Sequence, residues 1–79
     1  MKVGFYGQIA TPFCGQADVS VPAEGLTVTG LRSLLAEAFE TDAILERSVR
    51  AAVNDEIVPD THTVFPGDTV EFLSPVSGG

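Results

Sequence analysis

At 79 residues, with 44% hydrophobic and 19% charged side chains, the chain makes one small domain, leaves no room for a second, and is too apolar to be disordered. Eleven acidic against four basic residues give a net charge of -7, which argues against a nucleic-acid ligand and favours a partner with a basic face. The apolar runs are far too short to cross a bilayer, Met1 to Ile9 shows no basic and apolar leader, and the single cysteine, Cys14, cannot form an internal disulfide, so no membrane and a reducing cytoplasm are expected.

Lys2 to Ile9 alternates, with Val3, Phe5 and Ile9 on one face and Lys2, Gly4, Tyr6 and Gln8 on the other, as in a half-buried strand. Ala10 to Gln16, with Pro12 and Gly15, reads as a loop, after which Ala17, Val19 and Val21 alternate with Asp18 and Ser20 to complete a hairpin. Pro22 to Gly25 breaks the pattern. From Leu31 the period changes: Leu31, Leu34, Leu35, Ala38 and Phe39 recur at helical spacing, with Thr29 as the expected N-cap. Arg32 near the start and Glu37 and Glu40 near the end oppose the macrodipole, so packing of the leucine face must hold this helix. Asp42 is placed to cap a further short turn through Ala43, Ile44 and Leu45.

Val49, Ala51 and Val53 alternate with Arg50 and Ala52; Asn54 and Asp55 then turn the chain into a short strand holding Ile57 and Val58. Pro66-Gly67 fits the centre of a type II turn feeding the last strand, where Val70 and Phe72 share one face and Glu71 and Leu73 the other. Strand, strand, helix, strand, short strand, strand predicts an α+β domain of the β-grasp type. It would be a mixed sheet of about five strands with one main helix across one face, and its first and last strands parallel in the middle. Residues 1–74 are expected to form this domain, and residues 75–79 a flexible tail.

That tail, Pro75-Val76-Ser77-Gly78-Gly79, ends in two residues without a Cβ. It suits a channel too narrow for ordinary side chains, and five extended residues reach roughly 17 Å. With Gly79 last, its α-carboxylate is expected to be free, a carboxyl group that is itself the reacting centre. Elsewhere there is no nucleophile with a base, no His or Cys cluster at metal-ligand spacing and no phosphate loop, so no metal and no bound cofactor are expected. Cys14 and His62 read as structural or incidental. The acids Asp55, Glu56, Asp60, Asp68 and Glu71 read first as a solvated rim and second as a docking patch for a basic partner.

The residues Lys2-Val3-Gly4-Phe5-Tyr6-Gly7-Gln8, Ala51-Ala52-Val53-Asn54, Pro66-Gly67-Asp68 with Val70-Glu71-Phe72-Leu73, and above all the ending Pro75-Val76-Ser77-Gly78-Gly79 resemble the small subunits of molybdopterin synthase. These are ubiquitin-like sulfur carriers of molybdenum cofactor biosynthesis. The resemblance covers nearly the whole chain and departs at Gly4, where a larger apolar residue is expected. It implies that Gly79 is adenylated by a ubiquitin-activating-like enzyme using ATP and Mg and converted to a thiocarboxylate with sulfur from a donor protein. Gly79 would then be inserted, with Pro75, Val76, Ser77 and Gly78, into a large subunit, where it gives sulfur to cyclic pyranopterin monophosphate. It also implies a heterotetramer of two small and two large subunits, with the small subunit no enzyme on its own. The same ending serves carriers for thiazole, cysteine or tRNA thiolation, and ubiquitin-like protein modifiers; a non-covalent interaction domain is the remaining alternative. Alternation places Tyr6 and Leu73 on the sheet face away from the helix, with Ile57 extending the patch, so these three are the expected partner interface.

Overall fold

The computed structural model describes residues 1–74. Strand β1 (Lys2–Tyr6) alternates as expected, burying Val3 and Phe5, but ends before Gly7, whose φ of +83° turns the chain into a 3-10 turn, Gly7–Ile9. Ile9 stays buried, placed by that turn and not by strand alternation. Helix α1 (Ala10–Phe13) replaces part of the expected loop, because it lets Phe13 stack on Phe5 at 4.1 Å between ring centroids. Strand β2 (Gln16–Asp18) pairs antiparallel with β1 and is shorter than the alternation through Val21 suggested.

Helix α2 spans Val28–Ala38, and its cap is Thr27 rather than Thr29: the Thr27 hydroxyl accepts from the Gly30 N–H. Thr29 instead donates its hydroxyl to the Asp60 carbonyl. The earlier start shifts the buried stripe to Val28, Leu31, Arg32 and Leu35, leaving Ala38 exposed. With no acid in the first turn and no base in the last, burial holds the helix, at about 1.5 to 3 kcal/mol for each fully covered leucine or valine. A 3-10 turn follows at Ala43–Leu45. Asp42 does not cap it through its side chain; the Thr41 hydroxyl accepts from the Ala43 N–H.

Strand β3 (Leu26–Thr27) precedes α2 directly. After the helix come β4 (Arg50–Val53), β5 (Glu56–Val58), β6 (Thr63–Val64) and β7 (Val70–Leu73). The main sheet has the order β2-β1-β7-β4-β5, and β3 pairs with β6 in a separate two-stranded ribbon that the sequence pattern did not disclose. Strand β7 runs parallel to β1 and antiparallel to β4. Asn54 and Asp55, both at positive φ (51° and 70°), form the two-residue β4–β5 hairpin, a conformation these residue types tolerate. The turn at Pro66-Gly67 closes through Asp68 N–H to the Phe65 carbonyl, but Gly67 is not at positive φ, so it is not the expected type II turn. Side-chain bonds select the geometry: Asp68 accepts from the Phe65 N–H, and Asn54 links Asp68 to the Thr69 N–H.

One face of the sheet is closed by α2 over Val3, Phe5, Ala51, Val53, Val70 and Phe72. Within this core lies Arg32, 7% exposed. Its guanidinium donates to the carbonyls of Ile44 (2.6 Å), Glu46 (3.3 Å) and Val49, and to the Asp60 carboxylate (3.1 Å). It also lies over the Phe72 ring at 5.3 Å. Sequence position marks it only as a basic residue near the helix start, where it opposes the macrodipole.

Candidate functional site

Among the described residues no helix lies over the opposite face of the sheet, and the side chains on that face come from alternate positions of the same strands. Register pairs Arg50 of β4 with Leu73 of β7, and Leu73 with Tyr6 of β1. These three therefore form a row across the sheet at the end of β7 nearest Ser74. Tyr6 and Ile57 are 54% and 58% exposed, and Leu73 is half-buried. Ile57 and Leu73, with Ser48, Arg50 and Ser74, line an open cleft of about 470 Å³. The three residues expected to form a partner interface are thus gathered on one face.

Tyr6 and Glu71 flank Gly4 on this face: a Cβ on Gly4 would meet Tyr6 Cε2 at 3.6 Å and Glu71 Cγ at 3.5 Å, ordinary contact distances. The phenol lies on the Glu71 side of the face, and the hydrogen-bonding and charge effects of that carboxylate hold the Tyr6 pKa above its ordinary value. The phenol therefore stays protonated at neutral pH.

Ser74 fixes the point where the chain leaves the sheet. Its N–H and hydroxyl both donate to the Tyr6 carbonyl (3.0 and 3.3 Å), and its Oγ accepts from the Ile9 N–H at 2.9 Å. Gly7 makes this possible: a Cβ there would fall 2.6 Å from Ser74 Oγ and closer still to the Ser74 carbonyl oxygen. Residues 75–79, including Gly79 and the rest of the expected reactive tail, lie outside the described residues.

Of the acids read as a rim or docking patch, Asp60 holds Arg32, Asp68 organises its turn, and Glu71 faces Tyr6. Three of the five thus have partners within the chain. The thiol of Cys14 is exposed at the C-cap of α1, and His62 is also exposed. Among the described residues, no group of three or more His, Cys, Asp or Glu side chains is placed to hold a metal ion, and no helix is long and apolar enough to cross a membrane. Sequence reasoning missed Arg50 and the Ser74 hydroxyl. Arg50 was legible as the outward partner of the β4 alternation, whereas the Ser74 bonds join residues up to 68 positions apart and leave no local signal.

A mixed five-stranded sheet with parallel first and last strands, one helix across it and an exposed apolar face opposite is a ubiquitin-like β-grasp domain. The crystal structure of SAMP1 from Haloferax volcanii has the same fold, with a TM-score of 0.82 over 100% of this chain and 98% of that one at 19% identity. The chain belongs to the ThiS family, whose family model matches residues 3–79. It is also 33% identical over 81 aligned residues to the molybdopterin synthase sulfur carrier subunit of Escherichia coli (strain K12), covering 100% of this chain and 99% of that one.

Proposed function

We propose that this chain is the sulfur-carrier subunit of a molybdopterin synthase, with the carboxyl group of Gly79 as the sulfur-bearing centre. The observation that carries this reading is the full-length similarity to the Escherichia coli carrier; the exposed row Tyr6–Leu73 beside the fixed Ser74 agrees with it. A carboxylate is a poor electrophile. A ubiquitin-activating-like enzyme therefore joins it to the AMP of ATP with Mg present, releasing pyrophosphate. Sulfide from a donor protein then attacks the carbonyl and AMP leaves, giving a nucleophilic thiocarboxylate.

The carrier contributes presentation. Ser74 sets where the tail begins, the face holding Tyr6, Ile57 and Leu73 seats the domain on the large subunit, and residues 75–79 carry the sulfur to cyclic pyranopterin monophosphate. The large subunit supplies the orienting groups, in a heterotetramer of two small and two large subunits in the cytoplasm. The test is the intact mass of the protein after incubation with its activating enzyme, ATP and a sulfur donor. Replacement of one carboxyl oxygen by sulfur is expected, and a chain lacking Gly79 should support no molybdopterin formation with the large subunit. Turnover by the truncated chain at the full-length rate would overturn the proposal.

A further inference from the structure

The chain has three arginines and one lysine against eleven acids, yet its arginines are not dispersed. Arg32, Arg47 and Arg50 line one cavity of about 200 Å³ at the start of β4, together with Val58, Pro59 and Asp60. Arg32 is occupied: buried, it serves three carbonyls and the only acid in that lining, Asp60. Arg47 and Arg50 are exposed, and among the described residues no carboxylate lies within ion-pair distance of either. Arg50 also lines the apolar cleft with Ile57, Leu73 and Ser74, where it is the one charged side chain. The whole-chain charge and the charge at this cleft thus have opposite signs.

A guanidinium keeps its charge at any physiological pH and offers a planar fork suited to a carboxylate. In a chain so rich in acids, two arginines without an ion-pair partner among the described residues, Arg50 lining the apolar cleft and Arg47 in the adjoining cavity, are available to a carboxylate from outside. We propose that the protein docking at this cleft presents an acidic rim beside an apolar anchor: one or more Asp or Glu carboxylates meeting Arg50 and Arg47 while an apolar side chain fills the space between Ile57 and Leu73. This rests on the reading of the sheet face as the carrier's docking face. It reverses, for this contact, the basic partner that the net charge alone suggests.

The two alternatives predict opposite signs for one substitution. Titration calorimetry of the full-length protein against the large subunit would compare wild type, Arg50→Glu, Arg47→Glu, Leu73→Ala and, as a net-charge control, Glu24→Arg in the loop before β3, with circular dichroism confirming each fold. An acidic partner surface predicts that Arg50→Glu weakens binding roughly tenfold or more and Arg47→Glu about threefold. It also predicts that wild-type affinity falls between about 0.05 and about 0.5 M salt, and that this dependence is reduced in both variants. Glu24→Arg should change affinity little. Unchanged or tighter binding by Arg50→Glu, with Leu73→Ala weakened, would overturn the acidic rim while leaving the docking face in place. Unchanged binding by both would remove the docking face as well.

Discussion

Replacing Arg32 separates its exposed ion pair from its buried carbonyl bonds. Asp60 is 56% exposed, so the ion-pair part of the interaction is worth at most about 1 kcal/mol after solvent screening. The carbonyls of Ile44 and Val49 receive their bonds in buried surroundings, and leaving each without its guanidinium donor costs about 1 to 3 kcal/mol, reduced where water can enter the vacated space. Arg32→Ala is therefore expected to cost about 3 kcal/mol, against a total of about 4 to 12 kcal/mol for a domain of this length. Arg32→Met, which keeps much of the volume over Phe72, should recover only the packing part. Asp60→Asn should cost under about 1 kcal/mol. Urea unfolding with a common m-value measures all three. If Asp60→Asn cost as much as Arg32→Ala, or if Arg32→Met were as stable as wild type, the carbonyl bonds would not be the source of the stability.

Gly7→Ala combines a left-handed backbone, about 1 to 2 kcal/mol for a residue with a Cβ, with a clash against Ser74. A total near 3 kcal/mol by urea unfolding is expected, and a loss under about 0.5 kcal/mol would mean that Ser74 is not held there. Asp68 has its carboxyl held below the ordinary value of 3.8 by the Phe65 N–H first and the Asn54 amide second. Because its folded-state pKa lies below the unfolded one, its stabilising contribution is fully present above the unfolded value and is lost as pH falls through the folded one. Asp68→Asn should therefore flatten the decline of stability below about pH 4, and an unchanged slope would count against the assignment.

The central strands were legible because β1 and β7 keep a period of two: Val3, Phe5, Val70 and Phe72 are buried while Tyr6 and Leu73 face away, and that parity alone located the exposed face. It misled at Ile9, where a 3-10 turn buries the residue that a continued strand would also bury. Thr27 and Thr29 both precede the leucine stripe, and the choice between caps depends on β3 pairing with β6, strands of two residues each that are too short to show a period. Arg32 could not be placed from sequence, since the carbonyls it serves come from residues 44, 46 and 49, brought over the helix only by the turn that follows it. Positive charge at the cleft was hidden by the net charge, which averages over position.

The side-by-side placement of β1 and β7 also constrains how the protein is made. A nascent chain that has emerged only through β6 contains the segments of the β1–β2 and β4–β5 pairs but lacks the strand that lies between β1 and β4. The long loop must close before the central pairings can stabilise it, so the sheet is completed late and as a whole. Ser74 follows that same last strand, and its bonds to Tyr6 and Ile9 form only when β7 is seated. A chain cut short before β7 would lack Val70 and Phe72 of the core together with the Ser74 clamp, so fixing of the tail root is conditional on β7 being seated.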